Sequence, residues 1–254
     1  MKQYLLRYKT WLLTALGVLL IIALWEIISF STGQLFLPEF FYSFGQAVLK
    51  LGRSLTWVSL GYTLLRLVIA LAISVVCGVV LGIVAGYFPD FATVLNPLIS
   101  FLRAVPTVAV MLLLVAFVPQ ASVYVVFLVQ FPAIYQATKE GSDKAVKTFS
   151  MHMRLKGKHN ITNFTQIVFP LTVDHIFLGL MQAFGLGFKA EIMAETFSYT
   201  TASYGMGKLI YNAYQNSLYT DMAAYVLITV GFVIIVDLAV NSIKKTVQNR
   251  MYRY

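Results

Sequence analysis

Residues 65–87 read LRLVIALAISVVCGVVLGIVAGY, an almost uninterrupted run of apolar and small side chains. The run contains one charged residue, Arg66, which stands next to its beginning. A helix needs about 20 predominantly apolar residues to cross the hydrocarbon core of a bilayer. We therefore predict that residues 65–87 form a membrane-spanning helix.

Small residues recur at every fourth position of this run, at Ala70, Ser74, Gly78, Gly82 and Gly86. Positions four apart share one face of a helix. Helices in lipid are not driven together by hydrophobicity, and small residues let their backbones approach closely. We predict that this ladder packs tightly against another helix. A second ladder of the same kind consists of Gly179, Ala183 and Gly187.

The composition of the whole chain agrees with a membrane protein. Of its 254 residues, 59% are hydrophobic and 11% are charged, whereas a soluble domain has roughly 25% charged residues. The net charge of +9 comes from basic residues that cluster at the ends of apolar runs. We find no nucleic-acid-binding motif and expect no nucleic-acid partner. The single cysteine, Cys77, excludes a disulfide within the chain.

The apolar runs predict an all-α, polytopic membrane protein with six transmembrane helices. We interpret the first run as a retained span, because it is longer than the 7–15 residues of a signal-peptide core and no Ala-x-Ala site follows it. We predict one transmembrane domain over residues 1–254, in which an extra first span precedes core spans at about 60–243. The six predicted spans are residues 11–30, 65–87, 95–118, 122–135, 174–197 and 223–243.

The Lys and Arg residues predict the orientation of these spans. Most of the 19 basic residues lie before the first span, between the fourth and fifth spans, or after the sixth. Cytoplasmic segments carry an excess of Lys and Arg. We therefore expect both termini in the cytoplasm, and a cytoplasmic loop at about 139–173.

Two prolines and several charged residues lie within or beside the predicted spans. Pro106 and Pro132 each remove a backbone donor, so we expect kinks there. Transporters often break helices near the solute path. The charged residues in or near the spans are Glu26, Arg66, Arg103, Lys189, Glu191, Glu195 and Asp237.

The three charges of the fifth span need partners on other helices. Lys189 lies two residues from Glu191 and six from Glu195, and neither spacing places two side chains together on a helix. Charges inside a membrane face protein or a water-filled cavity. One interpretation is an interhelical ion pair with Arg66 or Arg103, and the other is a solute pathway. The pathway candidates are Arg103, Pro106, Lys189, Glu191 and Glu195.

The sequence carries no pattern typical of catalysis or metal binding. It has no G-x-x-x-x-G-K-[ST] phosphate loop, and no paired nucleophile and base. His152, His159 and His175 have no Cys or carboxylate in ligand register. We expect that the chain is not an enzyme and binds no metal or cofactor.

The predicted cytoplasmic loop contains a recognisable spacing. Gly157 is followed after nine residues by Ile167, and then by Val168, Phe169 and Pro170. We expect a short helix before Gly157, a turn at that glycine, and a second short helix that Pro170 ends. Apolar residues of this loop, flanked by basic ones, suit docking into a groove of a soluble partner. The alternative is a basic loop that touches lipid headgroups.

This spacing resembles the back half of the coupling-loop motif of ABC importer permeases, which runs Glu-Ala-Ala, three residues, Gly, nine residues, Ile, one residue, Leu-Pro. Phe169 replaces the leucine, and Met151, His152 and Met153 replace Glu-Ala-Ala. Further motifs resemble the permeases for aliphatic sulfonates, taurine, nitrate and thiamine precursors. They are Leu37-Pro38, Thr63-Leu64-Leu65-Arg66, Pro97-Leu98, Arg103-Ala104-Val105-Pro106-Thr107-Val108-Ala109, Ala194-Glu195, Gly205-Met206-Gly207, Thr220-Asp221 and Asp237.

The resemblance implies a type I importer permease in the bacterial plasma membrane. It implies a second permease copy as a homodimer partner, two ATPase subunits that use ATP and Mg, and an extracytoplasmic substrate-binding protein. The solute would be small and anionic or heterocyclic. An ion-coupled secondary carrier is the alternative, but we see no inverted repeat. The resemblance assigns ATPase coupling to Gly157, Ile161, Phe164, Ile167, Phe169 and Pro170, and we assign helix packing to Ser74, Gly78, Gly82 and Gly86.

Overall fold

The computed structural model describes residues 2–34, 36–118, 121–151, 161–197 and 204–251. Within these ranges the regular structure is helical, and no strand occurs. One π-helical turn spans Phe164–Val168. The α-helices are α1 Lys2–Ser31, α2 Phe40–Leu51, α3 Ser54–Tyr87, α4 Pro89–Ala104, α5 Thr107–Phe117, α6 Ala121–Thr148, α7 Ile161–Asn163, α8 Phe169–Phe197, α9 Met206–Gln215 and α10 Tyr219–Met251.

Five helical segments are long and apolar enough to cross a membrane, and a bent pair of helices would make a sixth span. This confirms the predicted all-α, multi-span architecture. Five of the six predicted spans fall largely or wholly within these segments, although α3 begins earlier and α6 ends later than predicted. The five segments are Trp11–Ser31, Ser54–Tyr87, Ala121–Thr148, Phe164–Phe197 and Tyr219–Ala239.

The third predicted span, residues 95–118, is not one continuous helix. It is split between α4 and α5, which meet at 84°. Val105 has extended backbone angles, φ −67° and ψ 128°, as expected for a residue that precedes a proline. The 16 residues of α4 extend about 24 Å and the 11 residues of α5 about 17 Å. Neither helix alone covers a hydrocarbon core of about 30 Å.

The prediction that Pro170 ends a loop helix is wrong. The chain stays helical from the π turn through Pro170 and on to Phe197. Pro170 is the second residue of α8, where a missing backbone N–H costs little and the fixed φ angle suits a helix. The helix therefore continues through this proline instead of ending at it.

The chain divides into two compact units, of which the first comprises residues 1–57 and 209–231. In this unit, the Trp25 indole N–H donates to the Pro38 carbonyl at 2.9 Å. The backbone N–H of Phe40 donates to the Glu26 carboxylate at 3.0 Å. Glu26 thereby caps the first turn of α2, and the Leu37-Pro38 pair lies in the tight connection between α1 and α2.

A buried lysine also belongs to the first unit. Lys50 is 2% exposed, and its ammonium lies 2.7 Å from the Asp221 carboxylate. The same ammonium lies 4.8 Å from the ring centroid of Tyr225. Ion pairing and a cation–π contact together make burial of the lysine tolerable, and they hold α2 against the start of α10.

The second unit, residues 58–208 and 232–254, is built around α6. The ladder of α3 lies against α6. Added Cβ atoms would lie 2.9 Å from Ile134 Cγ2 at Gly78, 2.7 Å from Thr138 Cβ at Gly82, and 2.4 Å from Ser142 Cβ at Gly86. Ser74, on the same face, is fully buried. Small residues are thus required where the two backbones approach most closely.

The second ladder brings α8 against α6. An added Cβ atom at Gly179 would lie 2.8 Å from Ala137 Cβ, and one at Gly187 would lie within 2.7 Å of three side-chain atoms of Gln130. Pro132 lies inside α6 and does not interrupt it. α6 thus continues through this proline, in contact with α3 and α8.

Candidate functional site

Charged side chains from α3 and α8 meet in a buried cluster. Arg66 Nε lies 3.2 Å from Glu191 Oε1, and Arg66 Nη2 lies 3.2 Å from Glu195 Oε1. Glu191 and Glu195 are 0% and 1% exposed. The two carboxylates, one helical turn apart on α8, thus share one guanidinium from α3.

Hydroxyl and backbone groups complete this cluster. The Thr63 hydroxyl lies 2.8 and 3.0 Å from the two carboxylate oxygens of Glu195 and accepts the Met206 N–H at 3.0 Å. The Gly207 N–H donates to Glu195 Oε2 at 2.8 Å. Arg66 Nη2 donates to the Tyr204 carbonyl at 2.6 Å. These three hydrogen bonds fasten the segment 204–207 to α3 and α8.

The close contact of segment 204–207 with Glu195 and α8 explains why residues 205 and 207 are both glycine. A Cβ atom at Gly205 would lie 2.5 Å from Glu195 Cδ, and one at Gly207 would lie 2.2 Å from the Ile192 carbonyl oxygen. Real Cβ atoms do not approach other atoms so closely. Glycine is required at both positions because the backbone itself lies against the Glu195 carboxylate and α8.

The cluster ties α3, α8 and the beginning of α9 together. Buried charges are tolerated only when they are paired and hydrogen-bonded, and Arg66 is the partner from another helix that Glu191 and Glu195 require. Of the two interpretations of these carboxylates, the geometry matches the interhelical ion pair. Among the described residues, Glu191 Oε2 is buried without a hydrogen-bond partner.

Replacing Gly207 with alanine is expected to lower the apparent melting temperature of the purified protein. The added Cβ atom would force α9 away from the Ile192 carbonyl and lengthen the hydrogen bond to Glu195, and overpacking of this kind costs about 1–3 kcal/mol. Gly185→Ala is a matched control on α8, because an added Cβ atom there meets nothing within 4 Å. Equal melting temperatures for the two variants would contradict this account of the Gly-x-Gly spacing.

A polar cavity of about 450 Å³ lies where the α4–α5 elbow meets α6 and α8. Apolar side chains and Pro132 form part of its wall. The Gln136 amide N–H donates to Glu140 Oε1 at 2.6 Å. The polar residues that line the cavity are Arg103, Thr107, Gln136, Glu140, His175 and Gln182.

The remaining pathway candidates lie at or near this cavity. Arg103 lines it, and Pro106 is the exposed N-cap of α5, at the elbow. Lys189 is exposed on α8, three residues beyond Leu186, which lines the cavity. Glu191 and Glu195 are closed off in the buried cluster. The structure therefore separates the five candidates into a cavity group and a buried pair.

The candidate coupling residues fall into three groups. Gly157, together with His152 and Met153, lies outside the described residues, and Ile161 begins α7. Phe164 and Ile167 are partly buried around the contact of Val168 with Tyr87. Phe169 and Pro170 are exposed, as are Phe149, Met151 and Leu171.

Several site residues were not singled out from the sequence for the contacts they make. Thr63 and Arg66 are three residues apart and share a helix face, a signal that was available in the Thr-x-x-Arg spacing. Gln136 and Gln182 had no such signal, because isolated amides in a span do not reveal what they face. The Tyr204 carbonyl is a backbone group and leaves no trace in the sequence.

Comparisons with known proteins agree with this architecture. Residues 78–253 match the family described as "Binding-protein-dependent transport system inner membrane component". Over 151 residues the chain is 25% identical to a probable ABC transporter permease protein of Brucella melitensis, which covers 58% of this chain and 59% of that protein.

Two further relatives carry more specific names. The nitrate import permease protein NrtB of Synechocystis sp. is 28% identical over 142 residues, 55% of this chain and 50% of the relative. The bicarbonate transport system permease protein CmpB of Synechococcus elongatus is 30% identical over 132 residues, 51% of this chain and 47% of the relative. The matched segments thus span about half the length of these curated relatives.

Proposed function

Because the chain belongs to the family of inner membrane components of binding-protein-dependent transport systems, we propose that it is the membrane-spanning subunit of an ATP-driven ABC importer. Its helical architecture is that of a type I importer permease. The family match carries this proposal, since it covers the predicted coupling loop, the cavity and the two carboxylates of the buried cluster. The permease itself is not an enzyme, and ATP hydrolysis takes place in a separate subunit.

The proposed assembly contains two copies of this chain as a homodimer. Two ABC ATPase subunits, which use ATP and Mg, bind at the cytoplasmic face, and an extracytoplasmic substrate-binding protein delivers the solute. The assembly lies in the bacterial plasma membrane. Both termini lie in the cytoplasm when the bent pair of α4 and α5 counts as one span.

We propose a small anion as the solute. Relatives are named for the import of nitrate and for the transport of bicarbonate. An arginine in the wall of a polar cavity supports an anionic rather than a heterocyclic solute. Closure of the ATPase subunits would move the loop between α6 and α8, and those two helices line the cavity.

The function is tested by uptake of labelled nitrate and bicarbonate into proteoliposomes that contain the permease, its ATPase subunits and the binding protein. We expect uptake that requires ATP and survives dissipation of the ion gradients. Uptake that follows an ion gradient without ATP would instead establish a secondary carrier.

The coupling loop is tested with Gly157→Glu. A side chain and a charge at the predicted turn should disturb docking on the ATPase, and we expect ATP-dependent uptake to fall severalfold while the amount of protein in the membrane is unchanged. ATPase stimulation by the permease is measured in parallel and should fall with uptake. Normal uptake by a well-expressed variant would refute the role of this loop.

A further inference from the structure

We propose that the cavity beside the α4–α5 elbow binds the anionic group of the transported solute through the guanidinium of Arg103. This inference rests on the proposed function and names the contact by which the permease recognises its solute. The solute class is a small oxyanion, such as nitrate, bicarbonate or a sulfonate, whose oxygens can accept hydrogen bonds from a planar guanidinium.

The first argument is that Arg103 forms no ion pair among the described residues. All 10 acidic residues lie in the part of the chain that the structure describes. The ion pairs formed there engage Lys50, Arg66 and Lys147, and no carboxylate lies within 4.0 Å of the Arg103 guanidinium. A cation within a membrane-spanning segment requires a partner or water. The cavity leaves room beside Arg103 for a partner, which an anionic solute would supply.

The second argument is the distribution of charge in the cavity. Glu140 and His175 are the other titratable groups of its wall. Lys139 Nζ donates a hydrogen bond to Asn96 Oδ1 at 2.8 Å. Because Glu140 follows Lys139 on α6, the α6 backbone at Glu140 lies beside Asn96 of α4. Arg103 follows Asn96 by seven residues, or about 10 Å along the helix. The α4 position that carries Arg103 therefore lies about two helical turns from the α4 position beside Glu140.

The third argument concerns neutral polar groups of the cavity wall. Thr107, at the start of α5, and Gln182, on α8, both line the cavity and supply a hydroxyl and an amide for the remaining oxygens of the solute. Gln182, Leu186 and Lys189 follow one another at spacings of four and three, so they lie on one stripe of α8. Lys189 thus lies on the same stripe and adds a second cation beyond the cavity.

The size of the cavity agrees with this assignment. About 450 Å³ lies near the lower end of the range for small-molecule sites, roughly 300–1,000 Å³. A hydrated oxyanion or a short alkane sulfonate fits such a volume. Large heterocyclic solutes would need the cavity to widen.

The site is tested by anion binding to the purified permease in lipid nanodiscs. Thermal unfolding is followed during titration with sodium nitrate, bicarbonate or methanesulfonate, at an ionic strength fixed with sodium chloride. Urea serves as a neutral solute of the same planar shape as nitrate. We expect the oxyanions to raise the melting temperature in a saturable way, and urea, which is a denaturant, not to raise it.

Arg103→Gln should weaken the apparent affinity for oxyanions at least about tenfold, because a charge-assisted contact is lost. Arg103→Lys should retain part of the affinity. Arg53→Gln is the matched control, since it removes the same charge from an exposed arginine outside the cavity. Unchanged affinity in Arg103→Gln, no saturable shift with any oxyanion, or an equal shift with urea would overturn the proposed site.

Uptake measurements separate this inference from the proposed function. If the wild type imports an anion with ATP and Arg103→Gln imports it equally well, the site is wrong and the importer function stands. If no anion is imported with ATP although oxyanions bind at Arg103, the proposed function fails and the binding site stands.

Discussion

Replacement of Arg66 by glutamine is expected to destabilise the protein by about 3–5 kcal/mol, the cost of breaking a buried ion pair by removing one partner. Glu191 and Glu195 would then lie buried without a positive charge, and the Tyr204 carbonyl would lose its donor. The measurement is thermal or denaturant unfolding of the purified permease. Arg53→Gln, which removes an exposed arginine that forms no ion pair among the described residues, is expected to leave the melting temperature nearly unchanged.

A double replacement tests the origin of this effect. Combining Arg66→Gln with Glu195→Gln removes one of the uncompensated carboxylates, so we expect the double variant to be more stable than the sum of the two single effects implies. Strict additivity would show that the guanidinium and the carboxylate are not coupled. Wild-type stability of Arg66→Gln would refute the stabilising role of the cluster altogether.

Gly82→Leu is expected to produce a comparable loss, by separating α3 from α6. The first side-chain atom alone would lie 2.7 Å from Thr138 Cβ and 2.8 Å from the Tyr135 carbonyl oxygen. Overpacking costs about 1–3 kcal/mol, and we expect the upper end because one obstructing atom belongs to the backbone. The readout is the melting temperature together with the yield of folded protein after extraction from the membrane.

Gly61→Leu is the matched control for this replacement. Gly61 also lies in α3, but an added Cβ atom there meets nothing within 4 Å, so the same increase in volume and helix propensity occurs without a clash. Equal melting temperatures for Gly82→Leu and Gly61→Leu would remove the close approach of α3 and α6 as a source of stability.

The helix faces of α3 could be read from the sequence because spacing alone determines them. Gly78, Gly82 and Gly86 are four residues apart, and such residues share a face whatever the rest of the protein does. The partner of that face was not predictable. Nothing in the spacing distinguishes α6 from any other helix, and the contact of Gly82 with Thr138 depends on how the whole bundle assembles.

The charged cluster illustrates a different limit. The spacing of Lys189, Glu191 and Glu195 indicated that partners had to come from other helices, and for the two glutamates Arg66 is that partner. Arg66 and Glu191 are 125 residues apart in the chain. A choice between Arg66 and Arg103 required the three-dimensional arrangement, because both arginines lie in apolar segments of similar composition.

The two prolines show why local sequence did not decide the shape of the third span. Pro132 is buried in α6, which packs against α3 on one side and α8 on the other, and contacts of this kind offset the cost of proline in a helix interior, about 3 kcal/mol. Pro106 is exposed, and the chain turns by 84° there. Proline thus lies inside one helix and at the break between two others, and the local sequence did not distinguish the two cases.

The π-helical turn Phe164–Val168 affects the direction in which the chain before it leaves α8. A π turn bonds residue i to i+5, so it contains one residue more than the corresponding α turn. Because each residue of an α-helix advances the chain by about 100° around the axis, this extra residue rotates α7 by about that angle relative to α8. A single deletion within 164–168 would restore regular bonding yet point the loop in another direction. The extra residue of this π turn therefore determines how α7 is rotated about the helix axis relative to α8, which lines the cavity.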